Sequence, residues 1–329
     1  MPADVTTNLE RQIRSQPAAL EALLASGTVR RQVHEAAEHL HRARRLWLIG
    51  TGTSQHAAEL GAALIQLTGR SAQAVPSMQF VDFAPLVGAQ DGMIVITHTA
   101  ATAFALSTRA QAFTAGLGPV MITKQDSGFP DAIETVEKET SETYTVSYTT
   151  ALLALAMLAK ELGADSIDDA MLARVPGAVA TVLDEPGIEG IDEPARLLVF
   201  VGAGPSAVTA REGALKVREA SRFLAEGFDA EYLLHGSAVP LTATDRLVTL
   251  APPDPSGLVE AVARAAEAEN VPVTRVAEPA DLSQVLAQIP LTVRLQLIAL
   301  RFALQRKQDP DTVIVGAWND PDTWASGAP

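Results

Sequence analysis

Glu212, Lys216 and Glu219 stand at i, i+4 and i+7 in the segment Arg211-Glu-Gly-Ala-Leu-Lys-Val-Arg-Glu219. On a helix that spacing puts all three on one face. The helix is followed by Glu226, Asp229 and Glu231, then by His235-Gly236. A carboxylate and an imidazole are the pair needed to move a proton at neutral pH. The same spacing also fits a solvated, salt-bridged stripe. Gly213 weakens a helix interior, which points to close approach of another backbone.

Hydroxyls form a second set. Gly50-Thr-Gly-Thr-Ser-Gln55 follows a short apolar run, Arg45 to Ile49, and precedes helical spacing from His56 to about Leu67. A small-residue turn between strand and helix leaves backbone N–H groups for an anion, and it is equally an ordinary tight turn. Thr97, Thr99 and Thr102 follow a second apolar run, Met93 to Ile96. Two such junctions on neighbouring strands converge at the carboxyl edge of a sheet and suggest a phosphate or sugar site. Thr97 and Thr99 could also simply cap a helix. Gly202-Ala-Gly-Pro-Ser-Ala207 fits the loose dinucleotide pattern G-x-G-x-x-A. Pro205 removes an N–H there, and Glu219 and Glu226 are read in or just after a helix, not closing a strand, so no dinucleotide is expected.

Other chemistries are absent from the sequence. With no cysteine among 329 residues, disulfides, thiolate metal sites and thiol catalysis are excluded. His34, His39 and His41 read as surface residues of an N-terminal helix, and no metal-ligating spacing, nucleotide phosphate loop or nucleophile elbow occurs. Neither a metal nor a cofactor is expected. The net charge of −14, without a basic block, argues against nucleic acid and anionic membranes as partners. The segment Thr143–Ala159 is too short and too rich in Thr and Tyr to span a bilayer, and its second half reads as a buried helix. The first residues are acidic and polar where a signal peptide would be basic then apolar, so a cytoplasmic protein is expected.

These residues need a scaffold of alternating strands and helices. Further short apolar runs fall at Ala72–Val75, Pro119–Thr123, Arg246–Leu250 and Val273–Val276, with helical spacing at Ala101–Ala115 and Ala207–Leu224. The pattern predicts an α/β fold with parallel sheets flanked by helices. It restarts after Leu183-Asp-Glu-Pro-Gly-Ile-Glu-Gly-Ile-Asp-Glu-Pro194, a stretch rich in Pro, Gly and acid. The expected organisation is a helical segment over 1–43, a first α/β domain over 44–183, a linker over 184–194, and a second domain with a C-terminal tail over 195–329. Each domain opens with a strand and a Gly-rich turn.

Glu212-Gly-Ala-Leu-Lys-Val-Arg-Glu219 followed by His235-Gly236 resembles the tandem sugar isomerase (SIS) domain family, and within it the isomerase half of glucosamine-6-phosphate synthases. Weaker matches occur in the same order: Glu10-Arg-Gln-Ile-Arg-Ser-Gln-Pro17, Gly52-Thr-Ser54, Thr97-His-Thr-Ala-Ala-Thr102 and Glu142-Thr-Tyr-Thr-Val-Ser147. The resemblance implies two doubly wound SIS domains. It implies that Ser54, Thr97, Thr99 and Thr102, with amides of Gly52 and Thr53, hold a sugar phosphate. Glu219 becomes the base that moves a proton between C1 and C2, and Lys216 its tuning neighbour. His235 comes from the other subunit of a homodimer and opens the sugar ring.

The departures from the family are local. His98 brings a new titratable group to the second hydroxyl loop, as a substrate contact or as a helix-start residue. Ser147-Tyr-Thr149 replaces the family's Ser-Thr-Lys, and Ala317 or Trp318 stands where the synthases have a lysine. Glu231 is displaced from its place before His-Gly, where Tyr232 now lies. Ser147, Glu231 and Trp318 are therefore further substrate-site candidates. With no cysteine, glutamine hydrolysis is not expected of this chain. The leading expectation is a metal-independent isomerase or deaminase of an amino- or keto-sugar 6-phosphate, either glucosamine-6-phosphate deaminase-like or fructosamine-6-phosphate deglycase-like. The alternatives are a phosphosugar-sensing protein without turnover and a purely structural dimer.

Overall fold

A computed structural model describes residues 6–83, 87–251, 254–277 and 281–329. The described chain forms two compact units, each discontinuous in sequence. The unit of the first sheet takes 15–140, 146–176 and 314–329, and the unit of the second sheet takes the residues up to 14, 141–145 and 177–313.

The chain opens with α1 (Asn8–Ala25) and α2 (Gly27–Leu40). Charged helical spacing alone predicts one helix from Leu9 to about Ala43. Ser26 divides it, its extended backbone placing Oγ to accept the Val29 N–H at 3.2 Å. Then strands and helices alternate: β1 (Arg45–Gly50), α3 (Thr53–Gln66), β2 (Ser71–Pro76), α4 (Ser77–Phe83), β3 (Asp91–Ile96), α5 (Ala103–Thr114), β4 (Val120–Thr123), β5 (Ala132–Glu134), α6 (Val146–Glu161) and α7 (Asp169–Asp184). The sheet is parallel throughout in the order β2-β1-β3-β4-β5. Trp47, Ile49, Met93, Val95 and Met121 form a buried cluster with Phe80 of α4 and Ala105 and Ala112 of α5. Alternate residues of β1 serve the other face, where Leu48 packs beside Gly61 of α3. Burial on both faces is why these strands read as continuous apolar runs. From Val146 to Ala159 every residue of α6 is buried, as expected for the second half of that stretch. No described helix is long and apolar enough to cross a membrane.

The second-sheet unit holds β6 (Leu198–Gly202), α8 (Pro205–Ser221), β7 (Ala225–Asp229), α9 (Ala230–Tyr232), β8 (Arg246–Ala251), α10 (Leu258–Ala268), β9 (Val273–Ala277) and α11 (Gln288–Arg306). Its sheet is parallel in the order β7-β6-β8-β9. Val199, Val201 and Leu247 pack with Val259 and Val262 of α10. Glu226, read from sequence as in or after a helix, lies on β7 beside Arg218 at 3.8 Å. Arg222 ends α8 in the left-handed conformation (φ 53°, ψ 29°), a turn normally signalled by Gly or Asn.

Of the expected linker 184–194, Asp184 ends α7, and residues 185–194 are irregular but fixed. Arg294 of α11 donates to the carbonyls of Glu185 at 2.9 Å and Pro186 at 2.5 Å, Arg301 to Ile188 O at 3.0 Å, and Ile191 is fully buried. Their Pro, Gly and acid content marks a lack of regular structure, not a free tether. Residues 314–329, expected with the second domain, group with the first sheet's unit and include α12 (Pro321–Ala325). Ser107 Oγ donates to Gly327 O at 2.5 Å, and a Cβ at Gly327 would fall 2.3 Å from the Phe104 ring.

The two units repeat one device. Gly52 (φ 56°, ψ −130°) after β1 and Gly204 (φ 55°, ψ −126°) after β6 take the same backbone geometry, which favours glycine. A Cβ at Gly50 would meet Ser54 O at 2.3 Å, and one at Gly202 would meet the Ser206 backbone at 2.5 Å.

Candidate active site

In the first-sheet unit the strand order reverses between β1 and β3. The loops after these strands therefore flank the switch point where α/β folds bind ligands. The first loop leaves Thr51 and Gly52 exposed and Thr53 and Ser54 half-buried. The Ser54 N–H is engaged by Thr51 O at 3.1 Å, so its hydroxyl is what it offers a ligand. α3 starts at Thr53 without a side-chain cap, so its first turn faces the loop with the positive end of its dipole.

In the second loop Thr97 is buried and its Oγ1 donates to Thr102 Oγ1 at 3.2 Å. Thr102, not Thr97 or Thr99, is the N-cap residue of α5, and its side chain makes no capping bond. Thr99 Oγ1 accepts the Ala101 N–H at 3.3 Å. The next residue, Ala100, has φ +58°, a conformation that L residues seldom adopt and that marks the loop as constrained.

His98 is largely buried. Its Nε2 accepts the Glu139 N–H at 3.1 Å, which places the proton of the neutral ring on Nδ1. Burial, and then the charges of Lys124 and Lys138, push the imidazole down to about 4, so it is neutral at physiological pH. Glu139 Oε1 in turn accepts the Ser147 N–H at 2.8 Å. Two site residues proposed from sequence, His98 and Ser147, are thus joined through Glu139. Sequence reading missed Glu139 because Glu137-Lys-Glu139 looks like solvated surface charge.

The charged face of α8 in the second-sheet unit is buried, which overturns the reading of a solvated stripe. Glu212 and Lys216 side chains are fully buried and that of Glu219 keeps 19% exposure. Lys216 Nζ lies 3.6 Å from Glu212 Oε1 and 2.5 Å from Glu219 Oε2. Burial pushes the Glu219 carboxyl above its ordinary value, Lys216 pulls it back, and the Glu212 charge adds to the rise. Gly213 makes room for a side chain, not a backbone: a Cβ there would lie 2.3 Å from Leu295 Cδ1 of α11.

The remaining candidates sit on short exposed turns. His235 lies in the irregular turn Leu233–Ser237, where Gly236 takes φ +109°. Glu231 is exposed, its N–H bound to Asp229 Oδ1 at 2.9 Å. Trp318 is 81% exposed, and its carbonyl accepts from Trp324 Nε1 at 2.6 Å. The Gly202 turn offers little to an anion: Pro205 opens α8, and buried Ser206 Oγ accepts from Gln288 Nε2 at 3.3 Å. Among the described residues no group of three or more Asp, Glu or His could hold a metal ion.

Comparison with known proteins follows the same lines. The SIS domain family matches residues 39–161. The glutamine–fructose-6-phosphate aminotransferase (isomerizing) of Thermococcus kodakarensis is 29% identical over 346 residues, covering 92% of this chain and 56% of the relative. The chain thus spans about half the length of the curated relatives it matches. In fold it is similar to a tagatose-6-phosphate ketose/aldose isomerase from Escherichia coli (TM-score 0.80, 21% identity, 97% of this chain and 99% of that one). It is also similar to the C-terminal domain of a glucosamine-fructose-6-phosphate aminotransferase from Francisella tularensis (TM-score 0.78, 18% identity, 95% and 99%). A SIS domain therefore matches residues 39–161, around the first sheet, and the chain as a whole is similar in fold to these two-sheet relatives.

Proposed function

We propose that this chain is a phosphosugar aldose–ketose isomerase or deaminase acting on an amino-sugar or keto-sugar 6-phosphate. The observation that carries the reading is Glu219: a carboxylate with raised basicity, still one-fifth exposed, held by a buried lysine at 2.5 Å. Such a group can take the proton from the carbon beside a carbonyl or imine and return it to the neighbouring carbon through an enediol or enolamine. Lys216 fixes its orientation and offsets the cost of its charge. Ser54, Thr97, Thr99 and Thr102, with the amides of Gly52 and Thr53, hold the phosphate, as hydroxyls and an uncapped helix start do elsewhere. His98 is neutral, so it adds a hydrogen-bonding edge and no charge. His235 on its exposed turn is suited to reach the site of a second copy and open the sugar ring. Ser147, Glu231 and Trp318 remain positions where ring configuration or the amine could be read. In deamination the shifted imine takes up water and releases ammonia. In deglycation the released group is a larger amine.

The test is proton exchange in deuterated water over 6-phosphates of glucosamine, fructose, galactosamine, tagatose and fructosamine adducts. NMR would follow deuterium at C1 and C2 together with amine release. Exchange with one of these sugars supports the reading and names the substrate. Phosphosugar binding by thermal shift with no exchange across the panel replaces it with a sensing role, and silence in both replaces it with a structural one.

A further inference from the structure

We infer a second anion site, for a small phosphate-bearing molecule, in a cavity at the opposite edge of the first sheet, built around Arg42, Arg44 and His39. The cavity measures about 480 Å³, within the range of small-molecule sites. Its walls are the segments that lead into β1, β3 and β4, the amino ends of those strands. Strands of six residues separate it from the hydroxyl loops at the carboxyl ends, a distance of about 20 Å. It is therefore distinct from those hydroxyl loops, and it does not depend on the proposed function.

The charge arrangement points to an anion. Arg42 and Arg44 are exposed, and among the described residues neither guanidinium has a hydrogen-bond or ion-pair partner. Most other arginines of this acidic chain are engaged; the adjacent Arg45, for example, meets Asp91 at 2.6 Å. Asp91 is the acid on the cavity wall, and it is already satisfied by Arg45, by Trp47 Nε1 at 3.0 Å and by the Gly88 N–H at 2.9 Å. What remains is a pair of unpaired guanidinium forks, the geometry that matches phosphate oxygens.

The rim is held in place before any ligand arrives. Arg70 donates to His41 O at 2.8 Å and Ala43 O at 3.0 Å, pinning the turn that carries both arginines. The Arg44 N–H binds Gln90 O at 2.9 Å, and His39 Nε2 lies 2.5 Å from Gly118 O. A Cβ at Gly118 would come within 3.0 Å of the His39 ring. Such fixing lowers the ordering cost of binding.

Calorimetric titration of the full chain with inorganic pyrophosphate at low salt tests this. Saturable binding should persist in a Ser54→Ala/Thr97→Val variant, weaken at least tenfold in Arg42→Gln/Arg44→Gln, and weaken as salt rises. Wild-type affinity in Arg42→Gln/Arg44→Gln, or no saturation of the wild type at millimolar pyrophosphate, overturns the proposal. If the double arginine variant does not fold, Gln90→Glu places an acid on the same wall. That single change must weaken pyrophosphate binding, and unchanged affinity overturns the site.

Discussion

Leu60 and Leu64 on α3, and Leu67 just past its end, occupy the places that Glu212, Lys216 and Glu219 occupy on α8. The correspondence is set by the paired turns: Gly50 with Gly202, Gly52 with Gly204, Ser54 with Ser206, and Gly61 with Gly213. Burial follows the same profile. Leu60 and Leu64 are buried like Glu212 and Lys216, while the third position retains exposure in both. Packing therefore accepts leucine at these positions, and one helix carries two acids and a lysine instead. The turns differ in the reverse sense. Thr53 and Ser54 keep hydroxyls near solvent in the first, whereas Pro205 and buried Ser206 close the second. In the proposed function the first copy of the device holds the anion and the second carries the buried charge, a division that stability alone does not explain.

Exchanging the chemistry of one copy for that of the other tests this division most strongly. Glu212→Leu/Lys216→Leu/Glu219→Leu gives α8 the residues of α3. Proton exchange should fall about 10²–10⁴-fold. Stability by urea unfolding should hold or rise by about 1–4 kcal/mol, because the desolvation cost of the trio disappears. Lys216→Met alone should instead destabilise by about 3–5 kcal/mol, since it strands two carboxylates on a buried face. A triple variant that unfolds like Lys216→Met would show that the charges serve the fold.

A pH scan separates the two units next. The His98 value is lowered from 6.5 to about 4, so the fold favours its neutral form. Its contribution is complete above pH 6.5 and is lost as pH falls toward 4, at most about 3 kcal/mol. Glu219 has the opposite sign: its raised value favours the protonated form, so its contribution shrinks as pH rises through that value. His98→Gln should flatten the acid limb of stability between pH 6.5 and 4 and leave the Glu219 effect intact. An unchanged acid limb would remove His98 as its source.

The smallest effect compares the matched glycines. A Cβ at Gly213 would meet Leu295 Cδ1 at 2.3 Å and its Cβ at 3.0 Å, the latter close to the main chain. At Gly61 the contacts are the tips of Leu48 and Leu155, at 2.8 to 3.0 Å. Gly213→Ala should cost about 1–3 kcal/mol. Gly61→Ala should be near neutral, since its gain of about 1 kcal/mol in helix propensity offsets tips that can move. Thermal unfolding of the pair checks the order.

The fold was legible because buried parallel strands announce themselves as short apolar runs, with small-residue turns after β1 and β6. β5, with three residues, and α4, with seven, are too short for any period to show. The strand carrying Glu226 was hidden because a left-handed Arg222, with no glycine, ends the preceding helix. In the site, spacing alone found the charged face, but spacing cannot tell a buried trio from a solvated one; that depends on α11 packing over Gly213. The bond from Glu139 to His98 was invisible because it crosses between loops 41 residues apart.

The most direct test of the central claim is deuterium exchange at C1 and C2 of the best phosphosugar by wild type and Glu219→Gln, with binding measured in parallel. Glu219→Gln should bind the sugar phosphate within about threefold of wild type and lose exchange by about 10²–10⁴-fold. Full exchange by Glu219→Gln would contradict the account, because the charged face of α8 would then not be the proton-transfer centre.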